Sequence, residues 1–244
     1  MKLDDVKKLQ QKKYRNQFGY YLVEGEHLIL ELEKASKHNQ NLAQNVRVYV
    51  TEDQQDFATG FDKTVVSKKN MAQISDTKSP QGIIACVPLP NLKQVTSASD
   101  SGQKYIYLHE VQDPGNLGTI LRTLAWFGNF RLLLSPNSVD PFNPKVVRSS
   151  MGAIFHVPME LEVELSDLQN RFENFAYLDM QGTKVSDKTF SNYPCYLFGN
   201  EARGVPREAL EAFNATAFTI PGNGAIESLN LAMAVSMSVY QLAV

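Results

Sequence analysis

In the second half of this chain, short apolar runs of strand length alternate with helical segments, and three of the runs end in loops of Gly, Asn and charge. The loops are Asp113-Pro114-Gly115-Asn116-Leu117-Gly118 running on to Arg122, Gly199-Asn200-Glu201-Ala202-Arg203-Gly204, and Ile220-Pro221-Gly222-Asn223-Gly224 followed by Glu227-Ser228-Leu229-Asn230. A strand that ends in such a loop and continues as a helix is where open α/β sheets build ligand sites. Three of them predict one composite pocket.

The alternation predicts strands over 105–108, 130–134, 176–178, 195–198 and 217–220. Helical segments are expected over 116–127, 144–151, 206–213 and 229–242. Strands alternating with helices imply a parallel sheet covered on both faces. Upstream, 4–17 reads as one polar, basic helix, and 20–24, 46–50, 64–66 and 82–87 read as strands. Leu28, Ile29, Leu32 and Ala35 recur at helical spacing within 27–37. Ser67 is placed to cap a short helix over 67–74. Residues 88–103 are rich in Pro, Ser and Gly and lack an apolar period, which marks a linker. The expected division is a small α/β domain over 1–90, a linker over 91–103 and a larger α/β domain over 104–244.

Bulk composition excludes several classes. With 244 residues, 43% of them hydrophobic and a net charge of −2, the chain carries no global basic signal for nucleic acid. The charge is uneven, because the first twenty residues hold six basic side chains against two acidic ones. Alone, that segment reads as a solvated helix face; a local basic patch also suits phosphate. Cys86 and Cys195 lie far apart in apolar runs and fit neither a disulfide framework nor a metal spacing. They are expected to pack as small hydrophobes in a reducing cytoplasm. No apolar stretch approaches the roughly 20 residues of a membrane span, and the charged N-terminus is no signal segment. The four histidines share no metal spacing, and His109 is left out of the catalytic set. No Gly-x-Gly-x-x-Gly follows the first strand of either half, and no P-loop sequence is present.

Each loop has a plain structural reading beside the functional one. Asp113–Gly115 suits a β-turn leading into a helix cap. That reading leaves Arg122 unexplained among Ile120, Leu121, Leu124 and Ala125, where it is either snorkelling or held for a purpose. Glu201 and Arg203 are placed to pair with each other or with another subunit. Ser228 or Asn230 starts the final helix.

Taken together, the three loops resemble the motifs of the SpoU (TrmH-type) RNA ribose 2′-O-methyltransferases of the SPOUT superfamily. Asn116 and Arg122 match the first motif, Gly199-Asn200-Glu201 with Gly204 the second, and Ile220-Pro221 with Glu227-Ser228-Leu229-Asn230 the third. Asp140–Gly152 resembles the segment between the first two motifs. Tyr14-Arg15, Leu22–Gly25, Ser75-Asp76-Thr77 and Pro80-Gln81-Gly82 resemble the family's small, ribosomal-protein-like substrate-binding domain.

The resemblance implies a C-terminal SPOUT domain whose parallel sheet ends in a trefoil knot that holds S-adenosyl-L-methionine. It also implies a homodimer with the pocket at or near the subunit interface, a structured RNA (rRNA or tRNA) as substrate, and no metal. Arg122 would clamp charge on the 2′-oxygen or a phosphate. Asn116 and Asn230 would orient Arg122 and the RNA, Glu201 would position Arg122 or a ribose hydroxyl, and Ser228 would complete the site. Cofactor contacts are expected from Leu197, Phe198, Gly199, Asn200, Ile220, Pro221, Gly222, Ser228 and Leu229, largely through backbone. RNA contacts are expected from Lys7, Lys8, Lys12, Lys13, Arg15, Arg122 and Arg148. The competing readings are a SPOUT base methyltransferase and an inactive RNA-binding or assembly protein on the same fold. The presence of both Asn116 and Arg122 argues against each.

Overall fold

A computed structural model describes residues 1–92 and 102–244, so most of the expected linker lies outside the described residues. The chain divides into two compact units, Met1–Asn91 with Asp140–His156, and Leu92–Val139 with Val157–Val244.

The first unit starts with helices α1 (Leu3–Lys8) and α2 (Lys12–Phe18), where the sequence predicts one continuous helix. The break has a physical cause. Leu9 is fully buried, and the Leu9 and Gln10 carbonyls accept from the Arg15 guanidinium, both at 2.9 Å. The Gln10 side chain meanwhile donates to the carbonyls of Ile74 and Ser75. Next come β1 (Tyr20–Glu24), α3 (Glu26–His38), β2 (Arg47–Val50), β3 (Asp62–Val65), α4 (Lys68–Ile74) and β4 (Ile83–Pro88). The strand order is β1-β4-β2-β3, antiparallel except for the β2–β3 pair. Helix α3 buries Leu28, Ile29, Leu32 and Ala35, the face its spacing predicts. Ser67 caps α4 by accepting from the Asn70 amide.

The segment Asp140–His156 packs within this first unit although 48 residues precede it in the other. Asp140 accepts from Arg15 at 2.5 Å, with the two side chains only 10% and 2% exposed. Phe142 lies against Tyr21 at a ring separation of 4.9 Å. Helix α6 (Pro144–Ser149), capped by Asn143, brings Arg148 to Asp76 at 2.9 Å. Gly152 has φ +93°, and a Cβ there would lie 2.7 Å from Glu31 Cβ, so backbone conformation and space both demand glycine.

The second unit is the expected parallel α/β layer. Its strands are β5 (Lys104–Leu108), β6 (Phe130–Leu134), β7 (Met159–Glu160), β8 (Phe175–Lys184), β9 (Cys195–Phe198) and β10 (Ala215–Thr219). They run in the order β10-β8-β9-β5-β6-β7, every pair parallel. Strand β9 is buried throughout, between β8 and β5. The helices are α5 (Pro114–Phe127), α7 (Leu165–Arg171), α8 (Arg207–Leu210) and α9 (Leu231–Ala243). Strand β7 and helix α7 are not anticipated by sequence, and α8 is shorter than expected. Helices α5 and α9 pack together through a Thr123–Ser236 hydroxyl pair at 2.7 Å and an edge contact of Phe127 with Tyr240. No helix among the described residues is long and apolar enough to cross a membrane.

Candidate active site

The second and third loops meet at one cavity of about 1270 Å³ in the second unit. Phe198, Gly199 and Asn200 line it from the end of β9, Ile220–Gly222 from the end of β10, and Ser228 and Leu229 from the approach to α9. Leu197 does not line it. Its side chain is buried in the core beside Tyr107 and Leu133.

Gly199 fixes the shape of the second loop. The chain doubles back through reciprocal hydrogen bonds between Asn200 and Gly204, at 3.0 and 2.9 Å. A Cβ on Gly199 would overlap the Gly204 carbonyl and the Val205 amide. The loop is then braced from outside. Asn200 Nδ2 donates to the Glu110 carbonyl at 2.6 Å, while its Oδ1 accepts from the amides of Ala202 and Arg203. Arg203 pairs with Glu110, not with Glu201.

Glu201 instead joins the first loop to the second. Its carboxylate accepts from the amides of Gln112 and Asp113, both at 3.1 Å, and from Asn116 Nδ2 at 3.2 Å. Burial pushes its pKa up, but the amides of Asp113, Glu201 and Gln112 and the Asn116 side chain outweigh it, and the net shift is downward. Asn116 Oδ1 in turn accepts from Asn230 Nδ2 at 2.9 Å. Asn230 caps α9 by accepting from Ala232 and Met233, so Asn230 rather than Ser228 starts that helix. Asp113 caps α5 by accepting from the Asn116 amide. A single chain of hydrogen bonds, Glu201–Asn116–Asn230, therefore ties all three motifs together at two helix N-termini.

Arg122 stands outside this chain. It is exposed on α5, one turn before Trp126, its side chain makes no hydrogen bond or ion pair among the described residues, and it does not line the cavity. The role expected for Asn116, Asn230 and Glu201 in orienting Arg122 has no direct contact behind it within one chain. Ser228 lines the cavity without joining the network.

The expected RNA contacts divide. Lys7, Lys12 and Lys13 are exposed on α1 and α2. Lys8 pairs with Asp5 at 3.0 Å, and both Lys8 and Lys13 approach the Tyr14 ring. Arg15 is a correction: it is buried, and four of its N–H bonds go to Asp140, Leu9 and Gln10, so it is not presented to a phosphate. Arg148 is partly exposed and engaged with Asp76. Among the described residues no three His, Cys, Asp or Glu side chains gather as a metal site.

Residues 103–240 match the SpoU rRNA Methylase family, and residues 2–85 match the MRM3-like substrate binding domain. The chain belongs to the SpoU rRNA methylase family. A relative from Bacillus subtilis, named 23S rRNA (guanosine(2553)-2′-O)-methyltransferase RlmP, is 32% identical over 99% of this chain and 95% of its own. The AdoMet-bound rRNA methyltransferase from Sinorhizobium meliloti superposes with a TM-score of 0.80 at 25% identity, over 98% of this chain and 93% of that one. The SpoU methyltransferase AviRb from Streptomyces viridochromogenes shares the fold, with a TM-score of 0.83 at 20% identity over 99% and 96%. The cavity suits the SpoU cofactor on its own terms. Its apolar wall includes Leu178, Val205 and Leu231, and Gly-bearing loops at the ends of β9 and β10 leave backbone within reach of a ligand.

Two features escaped sequence reasoning. Asp179 and Arg207 also line the cavity. Asp179 directly follows the predicted strand 176–178, so the strand-end logic that found the other loops extends to it. Gln112, which donates its amide to Glu201, carries no sequence signal of its own.

Proposed function

We propose that this protein uses S-adenosyl-L-methionine to methylate a ribose 2′-hydroxyl in structured RNA, ribosomal RNA foremost. The observation that carries the reading is the Glu201–Asn116–Asn230 chain joining three family motifs beside a Gly-lined cavity. S-adenosyl-L-methionine, when bound, supplies an electrophilic methyl on its sulfonium. Phe198–Asn200, Ile220–Gly222, Ser228 and Leu229 hold it, and the rigid loop set by Gly199 aligns it. Such alignment supplies much of the barrier reduction in a transfer reaction.

Arg122 stabilises negative charge developing on the 2′-oxygen. Its guanidinium is a fixed cation with five N–H donors and no acceptor, so it clamps charge and does not accept the proton; a phosphate or water takes that role. Because Arg122 lies off the cavity of its own chain, a second copy completing the site is part of this reading. An exposed apolar face supports such a homodimer: Trp126 is 84% exposed, and Met233, Met237 and Tyr240 line up on α9 at about half exposure. A face of this kind marks an interaction surface. The family's trefoil knot in the C-terminal segment, and action on RNA in the cytoplasm, belong to the same proposal.

We assign RNA recruitment to residues 1–90 and chemistry to 104–244. Lys7, Lys8, Lys12 and Lys13 contact phosphates, a sequence-tolerant and salt-sensitive contribution. Replacing all four by Ala should weaken RNA binding and flatten the log–log salt dependence by up to roughly 3, at about 0.7 per contact on single strands. Titrations at several salt concentrations read this, and an unchanged slope would return the segment to a solvated helix face. The function itself is tested by locating a labelled methyl group in RNA treated with the purified protein.

A further inference from the structure

Strand β8 leaves the sheet in its middle. Its pairing with β10 jumps from Ala217–Tyr177 to Phe218–Thr183, and its pairing with β9 ends at Tyr177–Leu197. Residues 178–182 form an excursion between these points, and Leu178, Asp179 and Met180 face the cavity. The Asp179 side chain is only 6% exposed. Arg207, from α8, holds it with a fork: Nε donates at 2.8 Å and Nη2 at 2.5 Å. The Gln181 amide adds a bond at 3.3 Å. Arg207 itself is 64% exposed and also lines the cavity. No other carboxylate of the lining is placed in this way. Glu201 is turned toward the amides of Gln112 and Asp113, and Glu208 and Glu227 are exposed.

We propose that Asp179 and Arg207 form the subsite for the amino-acid end of the cofactor, with the ammonium received by Asp179 and the carboxylate by Arg207. The proposal rests on the cofactor reading above and adds two residues to it. An α-amino acid presents a positive and a negative group on one carbon, and a carboxylate beside a guanidinium offers the complementary pair. A planar fork matches a carboxylate in two parallel bonds. Asp179 supplies an anion without a new desolvation cost, because it is already buried and already charged. Burial alone would raise its pKa, but the hydrogen bonds and charge of Arg207 and the Gln181 amide bring the net shift below the ordinary value. The pair is an ion pair spanning β8 and α8, so the ligand exchanges one set of charge partners for another and leaves no charge uncompensated.

Calorimetry on the full-length protein with two probes tests this. S-adenosylhomocysteine carries the amino-acid end; 5′-methylthioadenosine shares the adenosine and the thioether and lacks it. Asp179→Asn and Arg207→Gln should each weaken S-adenosylhomocysteine binding by about tenfold or more, the loss expected for one hydrogen bond to a charged group. Both should leave methylthioadenosine affinity at the wild-type value, which also certifies a folded cavity in each variant. Arg207→Lys should recover only part of the loss, since a point charge does not reproduce the fork. Equal losses for both probes would overturn the proposal, giving the pair a role at the ribose or in the shape of the cavity. Unchanged binding of both probes would overturn it as well. If the wild-type protein bound neither probe, the cofactor reading would fail first and this subsite with it.

Discussion

Arg122→Ala is expected to abolish methyl transfer while S-adenosyl-L-methionine affinity stays close to wild type. The separation follows from position. Arg122 is exposed on α5, does not line the cavity and makes no hydrogen bond that braces the Gly199–Gly204 loop. Removing it therefore leaves the cofactor residues in place. Removing one preorganised group that stabilises developing oxyanion charge costs about 10²–10³ in turnover. Arg122→Lys should rescue little, because an ammonium does not present the guanidinium's planar donors. Single-turnover transfer assays beside calorimetry distinguish the outcomes. A variant with most of its turnover intact would remove Arg122 from the chemistry, and a parallel fall in cofactor affinity would make it a binding residue.

The second large effect lies in the first unit. Arg15→Ala should destabilise that unit by about 3–5 kcal/mol, the cost of removing one partner of a buried ion pair. Asp140 would be left as a buried charge, and the Leu9 and Gln10 carbonyls would lose their donors. Arg15→Ala with Asp140→Ala together should cost less than Arg15→Ala alone, because the stranded carboxylate is gone. Chemical denaturation of the single and double variants reads the difference. Arg15→Ala also bears on the basic N-terminal face. Any loss of RNA binding in that variant would reflect a loosened unit, whereas lysine variants that keep Arg15 report on phosphate contact alone.

Local signals were legible in the sequence and non-local partners were not. The buried face of α3, the Ser67 cap and the strand-ending loops each follow from residues within a few positions of one another. Arg15 shows the limit. Its basic neighbours make it look like a phosphate ligand, yet its partner Asp140 lies 125 residues away, and its other donors go to the Leu9 and Gln10 carbonyls at the break after α1. The same distance hid the membership of Asp140–His156 in the first unit. Strand β7 has two residues, too few for any period to register. In the site, Asn116, Glu201 and Asn230 could each be singled out by motif. Only the fold reveals that they bond to one another and that Arg122 does not join them. Asp179 follows the predicted strand 176–178, but no Gly or Asn directly after it marks a loop, and only the register jump of β8 shows the excursion that turns it to the cavity.

The atom that receives the methyl group is read directly from the RNA product. Purified protein should be incubated with ribosomal RNA and S-adenosyl-L-methionine labelled in its methyl, and the RNA digested to nucleosides. The label is expected to elute as a 2′-O-methylnucleoside, and the phosphodiester 3′ to the labelled ribose to resist alkaline cleavage. Label recovered on a base would contradict this expectation. So would no transfer to any RNA by a protein shown to bind the cofactor.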